Sequence, residues 1–168
     1  MDMQLYALHV IPFILLVYFA FLLFLHPPRA VLLASLLGGL IVGVINALVD
    51  LLAHYASWWH YTATGLILHL PLPFYLTPIL VYGAIVYLLI WRFWNGRFRW
   101  FALLLLIAVP LFAALRDFYG AAIARSTYLT WDTPLAWLLD LVMWLVMFYA
   151  GFLAFRWVVP LTHLDTPS

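Results

Sequence analysis

The sequence predicts an all-α fold, a polytopic transmembrane helical bundle of about five spans that forms a single integral membrane domain over residues 1–168. Three observations carry this expectation. The chain of 168 residues is 69% hydrophobic and 8% charged, with a mean hydropathy of +1.14, which is more apolar surface than one soluble core of this length can bury. Five separate stretches reach the ~20 apolar residues that cross a bilayer at about 1.5 Å per residue. Aromatic residues make up 19% of the chain and nine of them are Trp, a type favoured at the headgroup boundary, where an apolar ring and one polar atom are both satisfied.

The first span is expected over about Leu5 to Leu25. Met1 to Gln4 carries no basic residue, and the run ends in "HPPR" rather than at small residues, so it reads as a retained helix and not a signal peptide. "HPPR" then enforces a tight turn. The second span follows over about Ala30 to His54. A joint rich in aromatics and prolines, Tyr55 to Leu72, leads to the third span, about Pro73 to Trp94; a re-entrant element within that joint would change the span count. "NGRFR" is a polar break containing Gly, and the fourth span runs from about Trp100 to Ala121. The joint Ala122 to Asp132 precedes the fifth, about Thr133 to Trp157. No internal repeat or low-complexity segment stands out.

Arginine placement orients the bundle, because basic residues near span ends stay on the cytoplasmic side. Arg29, Arg92, Arg97, Arg99 and Arg156 fall on one face. Asp2, the second joint, Arg116 and Arg125 fall on the other. Five arginines against two place the N-terminus outside and the C-terminus in the cytoplasm of a cell membrane.

All seven basic residues are Arg, all six acids are Asp, and Lys, Glu and Cys are absent. Disulfides, thiolate metal sites and thioether-attached haem are thereby excluded. So are lysine Schiff bases and the glutamates common in helix-bundle di-iron sites. A net charge of +1 gives no reason to expect nucleic acid. No nucleic-acid partner and no cofactor are expected.

Polar residues are few enough to follow one by one. On the second span, steps of three or four bring Ser35, Gly39, Gly43, Asn46, Asp50 and His54 to one face; the glycines suit close helix approach. An ionisable group within a span costs about 2.5–3.5 kcal/mol on insertion scales and usually faces a partner or cavity. Asp117 shares its face with Ala113 and Ala121. Its neighbour Arg116 diverges by roughly 100° around the helix, so the two are expected to find other partners. On the fifth span Asp132, Ala136, Asp140, Met143 or Trp144, Met147 and Gly151 share a side. Asp140, two turns inside, is expected either to be held by Arg116, His54 or a tyrosine, or to be carried as the neutral acid, because burial disfavours the charged form.

With the N-terminus outside, His9, Asp50, His54, His60, Asp117 and Asp140 occupy one half of the membrane. They suggest a polar chamber opening toward the outer leaflet, walled by the Asp50 to His60 region and roofed by Trp58, Trp59 and Tyr61. The candidate catalytic groups are Asp50, Asp117 and Asp140. The candidate binding groups are His9, Asn46, His54, Trp58, Trp59, His60, Tyr61 and Arg116. No metal is expected: His54 and His60 are six apart, which is not a same-face pair, and no HExxH occurs. No G-x-S-x-G or phosphate-cradling loop is present.

Carboxylic-acid chemistry on an apolar substrate fits this inventory, since a protonated Asp can donate to an alkene and a second Asp or an aromatic face can stabilise the cation formed. The stretch "VDLLAHYASWWHYTATGLILHLPLPFYLTPILVYGAIVYLL", within Asn46 to Leu89, resembles the repeating unit of the small, heterodimeric-type membrane lycopene and carotenoid cyclases. Shared features are an aspartate at a span end, an aromatic loop, a Gly followed by apolar residues, a Leu-Pro-Leu step and an aromatic-rich next span. The resemblance covers about a quarter of the chain. It implies a helical bundle binding a long isoprenoid. The family's Leu-Pro-Leu is followed by two glutamates thought to supply the acid, whereas Pro73 and Phe74 stand there in this chain, so the resemblance does not imply the family's cyclase activity. "WHY" and "LRD" also resemble segments of uncharacterised bacterial multi-span proteins, which carry no function with them.

Three function classes follow. One is a non-catalytic bundle subunit or scaffold, with membrane lipid, a second copy or a membrane-complex partner against its helices. The second is a membrane enzyme or binding protein for an isoprenoid- or carotenoid-like lipid. The third is a proton- or ion-coupled carrier, disfavoured by five spans without an inverted repeat.

Overall fold

Apolar runs separated by proline and glycine breaks become five helices, each long and apolar enough to cross a membrane: Met3–Leu25, Arg29–Tyr55, Leu72–Trp94, Arg99–Ile123 and Ala136–Val158, called spans one to five below. The computed structural model describes residues 3–123 and 129–159. Asp2 and Arg125, used above to orient the chain, lie outside the described residues. The fifth helix begins at Ala136 rather than Thr133, and the chain makes a turn before it, with the Ala136 amide donating to Thr133 O at 3.1 Å.

Span three is not a uniform α-helix. Leu72–Tyr75 is a 3₁₀ turn, Thr77–Ile85 is wound as a π-helix, and only Val86–Trp94 is α-helical. Pro73 and Pro78 remove two amide donors from this half, so the regular i to i−4 ladder cannot run through it. The joint before it, between Tyr55 and Leu72, contains no helix. It contributes strand β1, Trp59–Tyr61, which pairs antiparallel with β2, Leu129–Trp131, in the register Trp59↔Trp131, His60↔Thr130 and Tyr61↔Leu129.

Spans two, three, four and five pack as a ring in which two touches three and five, and four touches three and five; span one lies outside it against span three. Glycine sets the closeness of span two to its neighbours. A Cβ on Gly38 would lie 2.7 Å from Gly151 O, and one on Gly39 would overlap Ile79 O. No side chain fits at either contact. Beside these contacts Tyr87 is buried among Phe148, Phe152 and Phe155, its hydroxyl donating to Phe148 O at 2.7 Å. The outward faces carry Leu23, Phe24, Leu153 and Trp157, all exposed, a surface that hydrocarbon solvates and water does not.

Candidate functional site: a three-carboxylate chamber

Asp50 continues the small-residue face of span two: Ser35, Gly39, Gly43, Asn46 and Asp50 are all buried, and Asp50 is 2% exposed. What surrounds it follows from how the helix ends. Ser57 takes a left-handed φ of 55°, the Trp58 amide donates to Ala53 O and the Ser57 amide to His54 O. This is the Schellman pairing, with serine in the place glycine usually holds. The reversal throws the chain back over the last turn. Alternation along β1 then sends Trp59 and Tyr61 to one face and His60 to the other.

Both β1 side chains reach Asp50. Trp59 Nε1 donates to Oδ1 at 3.0 Å, and the Tyr61 hydroxyl donates to Oδ2 at 2.9 Å. Tyr75, in the first turn of span three, donates to Oδ2 at 2.9 Å, and Asn46 Nδ2 at 3.3 Å. Four neutral donors from three segments thus converge on one carboxylate. Burial, with the negative charge of Asp50 beside it, pushes the Tyr61 hydroxyl well above the ordinary phenol value, which keeps its proton in place as a donor.

The second carboxylate is Asp117, buried near the end of the α-helical part of span four. Trp144 Nε1 donates to Oδ2 at 2.9 Å, while Arg116 Nε and Nη2 both donate to Oδ1, at 2.9 and 2.7 Å. The expectation that Arg116 and Asp117 find other partners is therefore corrected. Their Cα–Cβ bonds diverge, but three methylenes let the guanidinium fold back along the helix. It lies over Tyr82 and Trp144, 5.3 and 5.6 Å from the ring centres, and Nη1 donates to the Tyr82 hydroxyl at 3.0 Å.

Asp140 is the third. Span five presents it one helical turn before Met143 and Trp144, and it is 5% exposed. Its Oδ2 is buried and receives no hydrogen bond among the described residues. Of the partners expected for it, Arg116 acts on it electrostatically while donating through Nε and Nη2 to Asp117 and through Nη1 to Tyr82, and His54 stacks on His69 away from the chamber lining.

Asp50, Asp117 and Asp140 line one chamber of about 300 Å³, together with Asn46, Trp59, Tyr61 and Arg116. Four residues that sequence reasoning put in its wall are not there. His9 is exposed on span one, with Nδ1 2.9 Å from Leu5 O of its own helix. His54 stacks on His69 with ring centres 4.0 Å apart, because the Schellman reversal covers Asp50 and leaves the next turn outside. Trp58 is tilted against Trp59, ring centres 6.2 Å apart, and is not part of the chamber lining. His60, on the outer face of β1, meets Asp132 at 2.8 Å. Tyr6, Phe74, Tyr75 and Thr77 line the chamber and were not among the expected site residues; Tyr6 and Thr77 share a hydrogen bond of 3.1 Å. Nothing in an apolar periodicity distinguishes a phenol that faces a carboxylate from one that faces lipid. Among the described residues, no three His or Asp side chains come together as a metal would require.

Fold and chamber together define the class: a multi-pass integral membrane protein in lipid contact, with a polar chamber to which all five helices and both short strands contribute. No protein-family model, curated protein or solved structure matches the chain, so the likeness to the small carotenoid cyclases rests on the residues quoted above.

Proposed function

We propose that the protein is a membrane enzyme or binding protein for an isoprenoid-like lipid whose polar or reacting end is engaged by Asp140. The observation that carries this reading is the difference among the three acids. Asp50 and Asp117 have donors on both oxygens, whereas Asp140 Oδ2 has none among the described residues. A buried acceptor without a partner costs about 1–3 kcal/mol, and a ligand that supplies the missing partner recovers that cost. A chamber of about 300 Å³ is at the small end of ligand sites, about 300–1,000 Å³, so it takes one end of a long chain and leaves the remainder among acyl chains.

As an enzyme, the protein would work by general acid chemistry. Asp140 transfers its carboxyl proton to one carbon of an alkene, forming a C–H bond and leaving the other carbon cationic. Aromatic walls and the Asp50 carboxylate stabilise that cation, and loss of an adjacent proton to Asp140 restores the acid. Asp50 and Asp117 hold the walls and the charge. The chain sits in a cell membrane with its N-terminus outside, the chamber in the outer leaflet, and Arg29, Arg92, Arg97, Arg99 and Arg156 toward the cytoplasm.

The competing reading, a scaffold subunit, draws on a different observation: the bonds of Asp50 and Asp117 cross between elements and glue helices as polar groups do in bilayers. Purified protein, extracted and analysed by mass spectrometry and absorbance, separates the two. An isoprenoid enriched over the host membrane, and lost in a folded Asp140→Ala variant, supports the lipid-site reading. Bulk lipid alone in both proteins, with the variant merely expressing less, supports the scaffold.

A further inference from the structure

Hydrogens and charges in the chamber wall are unevenly distributed, and this restricts what can enter. Three carboxyl groups face one guanidinium. Three of the five hydrogens of that guanidinium go, through Nε and Nη2, to Asp117 and, through Nη1, to Tyr82, and the Asp117 carboxylate offsets its charge. The neutral donors are also committed: Trp59, Tyr61 and Tyr75 each have a single polar hydrogen and give it to Asp50, Trp144 gives its own to Asp117, and Asn46 Nδ2 donates to Asp50 and to Met143 Sδ. In the Tyr6–Thr77 pair one hydroxyl donates to the other, which leaves one hydrogen over. Against this stands Asp140, 5% exposed, with a buried oxygen that accepts no hydrogen bond among the described residues.

Resting on the lipid-site reading above, we infer that the end of the lipid held in this chamber is a hydrogen-bond donor, a hydroxyl or an ammonium, and not a phosphate or carboxylate. A hydroxyl donates to Asp140 and accepts the leftover hydrogen of the Tyr6–Thr77 pair. An ammonium donates to Asp140 and meets the aromatic lining, where cations are favoured over ring faces. An anionic end would shed its water beside three carboxyl groups and find its only cation already paired, an arrangement that rejects it.

Trp59 and Trp144 are fluorophores built into the wall, so binding is readable without a label. Farnesol, farnesylamine and farnesyl phosphate, which share one chain and differ only at the end, are titrated into detergent-solubilised full-length protein and tryptophan quenching is followed. The alcohol or the amine should bind at least about tenfold more tightly than the phosphate, a difference of about 1.4 kcal/mol, and whichever of the two binds identifies the end group. Asp140→Ala should abolish that preference. Asp140→Asn, which keeps the side-chain shape and an acceptor oxygen but has no acidic proton to yield to an amine, should abolish it for the amine more than for the alcohol and covers the case in which the alanine variant does not fold. Phosphate binding equal to or tighter than the other two, or a preference unchanged in both variants, overturns the inference and leaves the lipid site standing. Quenching by none of the three overturns the lipid-site reading and the inference with it.

Discussion

Tyr61 and Tyr75 donate to the same oxygen of Asp50, both at 2.9 Å, from a strand on one side and from the first turn of span three on the other. One carboxylate oxygen thus joins three consecutive segments, the end of span two, the strand after it and the start of span three. Removing the acceptor strands several buried donors, whereas removing one donor leaves the acceptor with the rest. Asp50→Ala is expected to destabilise the protein by about 3–5 kcal/mol, and Tyr75→Phe by only about 1–2 kcal/mol, since an orphaned buried group costs about 1–3 kcal/mol. Thermal unfolding in detergent measures both. Equal losses from the two substitutions would mean that Asp50 does not organise this corner.

Asp117 has a cation and a neutral donor on different oxygens, and exposure decides which matters more. The Arg116 side chain is 41% exposed, so solvent screens its attraction and the pair is worth about 0.5–1 kcal/mol. Trp144 is 2% exposed, and a buried hydrogen bond to a charged acceptor is worth about 1.5–3 kcal/mol. Double-mutant cycles with Asp117→Ala should therefore give a larger coupling for Trp144→Phe than for Arg116→Ala. Raising the salt concentration should weaken only the arginine coupling. The reverse order would contradict the assignment.

Helix contact through glycine predicts a steep contrast between two positions. A Cβ on Gly151 would stand 2.5 Å from Gly38 O and 2.6 Å from the Tyr87 hydroxyl, whereas one on Gly96 meets nothing nearer than the Phe98 amide nitrogen at 4.0 Å. Gly151→Ala should force spans two and five apart and cost about 2 kcal/mol or more, in the range of overpacked cores. Gly96→Ala should be close to neutral. Melting temperatures of the two variants, measured side by side, test this.

Such contrasts mark what the sequence could and could not disclose. Span number and approximate bounds were legible because hydrophobic length is a property of consecutive residues. The buried stripe from Ser35 to Asp50 was legible because helical periodicity is local, and the same holds for Ala136, Asp140, Trp144, Met147 and Gly151. The local rule failed at His60 and His54. Their positions depend on a left-handed Ser57 and on the phase of a three-residue strand, both set by a pairing with residues about seventy positions away. It failed again at Arg116, where side-chain length overrides the direction of the Cα–Cβ bond. The π-helical winding of Thr77–Ile85 has a cause visible in Pro73 and Pro78, yet proline marks only where a ladder breaks and not how the chain rewinds.

The ribbon over the chamber offers the most direct test of its architecture. His60 faces Thr130 across β1 and β2, and directly opposed antiparallel residues have Cα atoms about 4.5–5.5 Å apart, inside the about 4.4–6.8 Å range of disulfides. The chain contains no cysteine, so His60→Cys combined with Thr130→Cys introduces two thiols with no competing partner. His60 side-chain loss should itself be mild, because its pairing with Asp132 is between groups 39% and 28% exposed, worth less than about 1 kcal/mol. On oxidation the pair should close, read as a gel shift reversed by reductant. Trp59 and Tyr61 flank position 60 and reach into the wall, so the closed ribbon should slow exchange of whatever occupies the chamber by about tenfold or more, for opening would otherwise require the strands to part. A pairing shifted by one residue would place Trp59 and His60 on exchanged faces, and the disulfide would then fail to form.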